Sequence, residues 1–138
     1  MAARQELKTL YHCVYNLQYH LVLVTKYRRK CITTAMLARL REILAATTAK
    51  WGGELIECNG EADHVHLLIS LSPTIQLSTF VNNLKTVSSR LIRKEFGREL
   101  ARWYRKPVFW SRSYCVISCG GAPLSVLRQY IEQQHGAE

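Results

Sequence analysis

The chain has 138 residues, 48% of them hydrophobic, enough for one sizeable core that hides roughly two-thirds of the unfolded surface, and a single domain over 1–138 is expected. Nineteen Lys and Arg against ten Asp and Glu leave a formal charge of +9, which favours a polyanionic partner through counterion release. No apolar run approaches the roughly 20 residues of a bilayer span, the polar start with Arg4, Gln5, Glu6 and Lys8 is unlike a secretory signal, and five cysteines without a Cys-x2-Cys pair argue against structural zinc; a soluble, cytoplasmic protein with reduced thiols is expected.

Leu17, Tyr19, Leu21 and Leu23 alternate with Gln18, His20, Val22 and Val24, the period of a half-buried strand over 17–25. Thr33 and Thr34 can cap a helix whose apolar positions Leu37, Leu40 and Leu44 recur at helical spacing until Gly52-Gly53 stops it, giving a helix over about 34–51. Residues 54–58 read as a short strand, Asn59-Gly60 as a hairpin turn, and 64–71 as a second strand antiparallel to the first. After Pro73, Leu77, Phe80, Val81, Leu84, Val87 and Leu91 predict an amphipathic helix running to about Phe96, with Lys85, Arg90, Arg93 and Lys94 on its outer face. A basic, aromatic stretch over 98–110 leads to a last strand at 113–118, then Gly120-Gly121, then a helix over about 123–135 with Pro123 at its first position. The order strand, helix, strand, strand, helix, strand, helix predicts an α+β domain with a ferredoxin-like, split-βαβ antiparallel sheet, helices on one face and an added C-terminal helix.

Strand alternation puts His64 and His66 on one face, about 6.6 Å apart along the chain, so two imidazoles can converge on one ion. In the last helix Tyr130 and Gln134 lie four apart and stack on one side, where helix meets sheet if Leu127 is buried. A phenol, with its ordinary pKa near 10, needs a base or a nearby cation to act as nucleophile at neutral pH. A divalent ion on His64 and His66 can polarise a phosphate oxygen, and the amide oxygen of Gln134 can add a third ligand; such mixed ligation suits Mg²⁺ or Mn²⁺, and imidazole also accepts Zn²⁺ or Ni²⁺. Glu61 is an accessory carboxylate just before the histidines, although an acidic hairpin loop is the simpler account of Glu61 and Asp63. His20 reads as structural, and Trp110 and Tyr114 as core or dimer contacts.

His64-Val65-His66 within Asp63-His64-Val65-His66-Leu67-Leu68, followed by Tyr130-Ile131-Glu132-Gln133-Gln134, resembles the single-tyrosine HUH transposases of bacterial insertion sequences. Tyr19-His20-Leu21-Val22 with Thr25-Lys26-Tyr27-Arg28, Phe109-Trp110-Ser111-Arg112-Ser113-Tyr114, and Gly120-Gly121-Ala122-Pro123-Leu124 extend the likeness in order over nearly the whole chain. The resemblance implies a ferredoxin-like homodimer that binds single-stranded DNA hairpins at element ends. It implies His64, His66 and Gln134 as metal ligands and Tyr130 as the nucleophile forming a 5′-phosphotyrosine link. Whether the tyrosine helix serves its own subunit or the partner's is left open.

Lys26, Arg28, Arg29 and Lys30 form one basic cluster; Lys85, Arg90, Arg93, Lys94, Arg98, Arg102, Arg105 and Lys106 form a second, interleaved with Trp103 and Tyr104. Cations for phosphates and rings for unpaired bases suit hairpins and single strands. Two other readings are a domesticated relative acting on chromosomal repeat hairpins, and a non-catalytic single-stranded nucleic-acid-binding module, although no RNP1-like Gly-aromatic-Gly run is present.

Overall fold

A computed structural model describes residues 7–10 and 12–119. Two three-residue strands, β1 (Lys8–Leu10) and β2 (Cys13–Tyr15), pair as a small separate hairpin. They escape sequence reading because three residues carry no period to detect.

The main sheet follows the expected pattern. Strand β3 (Gln18–Thr25) leads through a 3₁₀ turn (Lys26–Arg28) to helix α1 (Thr34–Lys50), then β4 (Glu54–Gly60), β5 (His64–Ser70), helix α2 (Leu77–Glu95), a short helix α3 (Gly97–Leu100) and β6 (Trp110–Ser118). The sheet order is β4-β5-β3-β6, antiparallel throughout, which is the ferredoxin-like arrangement of a split βαβ unit. The expected helix over 123–135 lies outside the described residues.

Alternation fixes the two faces. Leu21, Leu23 and Thr25 on β3 and Val65, Leu67 and Ile69 on β5 are fully buried, and α1 and α2 close over that side with Leu40, Leu44, Phe80 and Leu84 in one apolar cluster. Truncating one of these leucines to alanine costs about 2–5 kcal/mol. The opposite parity, His20 and Val22 on β3, His64 and His66 on β5, Cys115 and Ile117 on β6, occupies the other face, where Ile117 is 59% exposed.

Helix boundaries have local causes. Thr33 caps α1, its side-chain oxygen accepting from the Met36 amide at 3.2 Å, and Gly52 ends it in left-handed backbone at φ 77°. On α2 the buried stripe is Phe80, Val81, Leu84, Ser88 and Ile92, so the stripe's last turns rest on Ser88 and Ile92, with Val87 and Leu91 flanking it half-buried. Ser88 tolerates burial because its hydroxyl donates to the Leu84 carbonyl and accepts from Trp110 Nε1 at 2.9 Å. Trp110 is thereby a core residue, and β6 starts there, three residues before the predicted 113.

Two expectations are corrected. Asn59-Gly60 is not the turn: Asn59 pairs with His66 and Gly60 with Val65 inside the ladder, and the reversal falls at Glu61–Asp63, closed by the Glu61 amide on the His64 carbonyl at 2.9 Å. Gly60 is there for space, since a Cβ would sit 2.8 Å from the His64 carbonyl oxygen and 2.9 Å from Leu37. The cations of α2 do not share one outer face: Arg90 and Lys94 are exposed, whereas Lys85 and Arg93 are half-buried on its flank. Lys85 donates to the Arg112 carbonyl at 2.8 Å and lies 5.5 Å over the Tyr114 ring, and burial pushes its amine below the usual range.

Candidate active site

The period of β5 sends both histidines to the face away from the helices. His64 Nδ1 donates to Asp63 Oδ1 at 2.9 Å, and Arg28 reaches the other oxygen of Asp63 at 3.4 Å. The hydrogen bond from His64, with the charge of Arg28 behind it, holds the Asp63 carboxyl below the ordinary carboxylate range. A carboxylate on Nδ1 fixes the ring and its tautomer and leaves Nε2 with a free lone pair, the form a metal-ligating histidine takes.

His66 is held from the neighbouring strand. His20 sits diagonally across the β3–β5 ladder, and its Nδ1 lies 3.1 Å from His66 Nε2 with the rings stacked at 27°. Burial first, and the neighbouring His20 second, push the His66 imidazole below its usual value, favouring the neutral ring that ligation requires. Two imidazoles on one strand face are a partial donor set for a divalent ion. Among the described residues no three His, Cys, Asp or Glu side chains converge on one point, so an ion on His64 and His66 needs a further donor from elsewhere. Gln134, expected as the third ligand, and Tyr130, expected as the nucleophile, lie outside the described residues.

Of the carboxylates in the turn, Asp63 and not Glu61 engages His64; the Glu61 side chain is exposed. Sequence reading treated His20 as structural, and its place beside His66 depends on strand register, which no local pattern displays. The signal for Asp63 was its adjacency to His64.

The basic clusters are partly united. Lys26 and Arg29 from the first and Arg105 and Lys106 from the second line one cavity of about 580 Å³, together with Arg112 and Tyr104. Tyr104 binds the two segments: it is 9% exposed, and its hydroxyl donates to the Lys26 carbonyl at 2.7 Å. Lys30 is exposed beside the cavity's 3₁₀ turn, whereas Arg28 turns to Asp63. Arg90 and Lys94 stand apart on α2.

The turn itself is strained. Tyr27 and Arg28 are consecutive non-glycine residues in left-handed backbone, φ 60° and 53°, at a cost of roughly 1–3 kcal/mol each. Three hydrogen bonds impose that conformation: Thr25 Oγ1 to the Arg29 carbonyl at 2.7 Å, the Thr25 amide to Asp63 at 3.0 Å and the Lys26 amide to Phe109 at 2.8 Å.

Comparison with known proteins bears on the fold and the family. The profile of the family described as Transposase IS200 like matches residues 13–134. The ISDra2 transposase TnpA of Deinococcus radiodurans is 32% identical over 125 residues, covering 91% of this chain and 89% of that protein. The transposase for insertion sequence element IS200 of Salmonella typhimurium is 32% identical over 127 residues, covering 92% and 82%. A crystal structure of a candidate transposase from Deinococcus radiodurans R1 superposes with a TM-score of 0.75 at 32% identity, over 92% of this chain and 97% of that one. A REP-associated tyrosine transposase bound to a REP hairpin shares the fold at a TM-score of 0.55 and 12% identity, over 90% and 68%. Among the described residues no helix is long and apolar enough to cross a membrane. The chain belongs to the IS200-like transposase family, and is a DNA-binding transposase.

Proposed function

We propose that this transposase cuts and rejoins single-stranded DNA at hairpins marking the ends of an insertion sequence, with Tyr130 as nucleophile and Mg²⁺ or Mn²⁺ held by His64, His66 and Gln134. The observation that carries the metal half is the pairing of each histidine with an orienting partner: Asp63 on His64 and His20 beside His66. Both imidazoles stand on the sheet face away from the packed helices, where a strand can reach them. Family membership supports the strand-cleaving half.

The bound ion would polarise a non-bridging phosphate oxygen and favour an anionic phenol nearby. Tyr130 Oη attacks the phosphorus, the bond from phosphorus to the 3′ oxygen breaks, and the products are a 5′-phosphotyrosine link and a free 3′-hydroxyl. A 3′-hydroxyl from another strand then attacks that phosphorus, restoring the phosphodiester and returning the phenol. One phosphodiester is exchanged for another through the ester, so no nucleotide cofactor is consumed. A homodimer, with two such sites, completes the proposal.

The test mixes the protein with fluorescent single-stranded hairpins from the flanking DNA, with Mn²⁺, Mg²⁺ or EDTA. An SDS-resistant adduct that needs the metal and is lost in Tyr130→Phe and His64→Ala is expected. Tight hairpin binding without adduct under any metal would replace this reading by that of a non-catalytic binder. Subterminal palindromes around the gene would mark a mobile copy, and their absence a domesticated one.

A further inference from the structure

The cavity between the 3₁₀ turn and the segment after α3 is unlike a patch of solvated charge. Its volume, about 580 Å³, falls in the range of roughly 300–1,000 Å³ typical of small-molecule pockets. Tyr104 ties its two walls together from below through the Lys26 carbonyl, while the Cys31 thiol donates to the Tyr104 hydroxyl at 3.8 Å, so the walls do not depend on a ligand to meet.

Two aromatic rings open onto it. Tyr27 is 70% exposed and Trp103 41% exposed, the only large aromatic rings that stand out from the surface among the described residues. Lys26 Nζ and Arg29 Cζ lie over the Tyr27 ring, 5.3 and 5.8 Å from its centre, so the exposed π surface already attracts cations that a bound phosphate would share. Hydrophobic burial does not explain Tyr27, because the ring is out in solvent. Chain geometry does not explain it either, because asparagine or glycine would enter left-handed backbone more readily. A ring presented at a cavity lined by cations suits a ligand with both a flat face and a negative charge.

We propose that this cavity seats one unpaired nucleotide of the bound DNA, its base stacked on Tyr27 or Trp103 and its phosphate among Arg105, Lys106 and Arg112. The inference rests on the DNA-strand reading above but concerns a site separate from the histidines and Tyr130. A duplex end offers no free base for such a pocket, so it selects unpaired positions.

The test compares two fluorescent probes on the full chain: oligothymidine of about a dozen nucleotides, within the span of single-strand sites, and the same backbone built of abasic residues. Tyr27→Asn removes the ring without adding backbone strain. It should weaken oligothymidine binding by about five- to a hundredfold and change abasic-strand binding less than about twofold, with Tyr27→Phe restoring the wild-type preference. Arg105→Ala should weaken both probes alike. The proposal is overturned if Tyr27→Asn and Trp103→Ala leave the wild-type preference for bases intact, or if wild type shows no preference. A Tyr130 adduct formed in the flanking-hairpin assay would then keep the cleavage reading standing while the pocket falls.

Discussion

At Asp63 the sequence and the structure meet most directly. Its carboxylate holds His64 Nδ1 at 2.9 Å and is itself met by Arg28, so removing it should free the His64 ring to rotate and to exchange tautomers. Partners of this kind are worth about 10- to 100-fold in metal affinity. Asp63→Asn is therefore expected to weaken Mn²⁺ binding, read by electron paramagnetic resonance on the protein without DNA, by about that factor. An unchanged affinity would remove Asp63 from the site. His20→Ala should act on His66 in the same direction. That His64 and His66 share a face was legible from alternation alone. Their partners were less so: His20 reaches His66 only through the β3–β5 register, and adjacency to His64 was the single mark separating Asp63 from Glu61 on the same turn.

Elements were legible where their period was long and their burial one-sided. β3, α1 and α2 satisfy that; β5, buried on both faces from Leu67 to Ser70, was legible instead as an apolar run, and β1 and β2 carry neither signal. Asn59-Gly60 misled because glycine answers two demands, positive φ and absence of a side chain, and only the second operates at this position. Gly60→Ala should accordingly destabilise by about 1–3 kcal/mol in urea unfolding, since the obstructing atom is the His64 backbone oxygen and cannot rotate away. A neutral result would mean that the hairpin gives without cost. Between the helices, Arg39 on α1 grips Glu95 at the end of α2 with Nε to Oε1 at 2.7 Å and Nη2 to Oε2 at 3.0 Å. The hydrogen bond from Arg39 lowers the Glu95 carboxyl from its ordinary 4.5. A depressed carboxyl contributes stability that is present above the unfolded value and lost as pH falls through the folded one. The stability difference between wild type and Arg39→Met should thus be constant from pH 7 to about 5 and shrink below about 4.5, as followed by urea midpoints across that window. A difference that persists unchanged to pH 3 would assign the effect to packing of the arginine stem.

For the whole molecule, the net charge of +9 announced a polyanion but not where it lies. The fold divides the cations into those around the 580 Å³ cavity and those, such as Arg90 and Lys94, dispersed on α2. This division could not be read from the chain, because Lys26 and Arg105 become neighbours through long-range contacts, the Tyr104 hydrogen bond and the β3–β6 pairing among them. Counterion release makes it measurable: for single strands the slope of log K against log salt is about −0.7 per phosphate neutralised. Arg105→Ala with Lys106→Ala removes two cavity cations and should flatten the slope by about 1.4, with a matching loss of affinity at low salt. Arg90→Ala with Lys94→Ala changes the net charge by the same amount at the other location and should leave the slope within about 0.3 of wild type. Because the two double variants carry identical total charge, general electrostatic attraction predicts equal effects, whereas a strand lying along the cavity predicts unequal ones. Equal slopes in both variants would mean that DNA follows the field of the whole protein and that the cavity holds no phosphate.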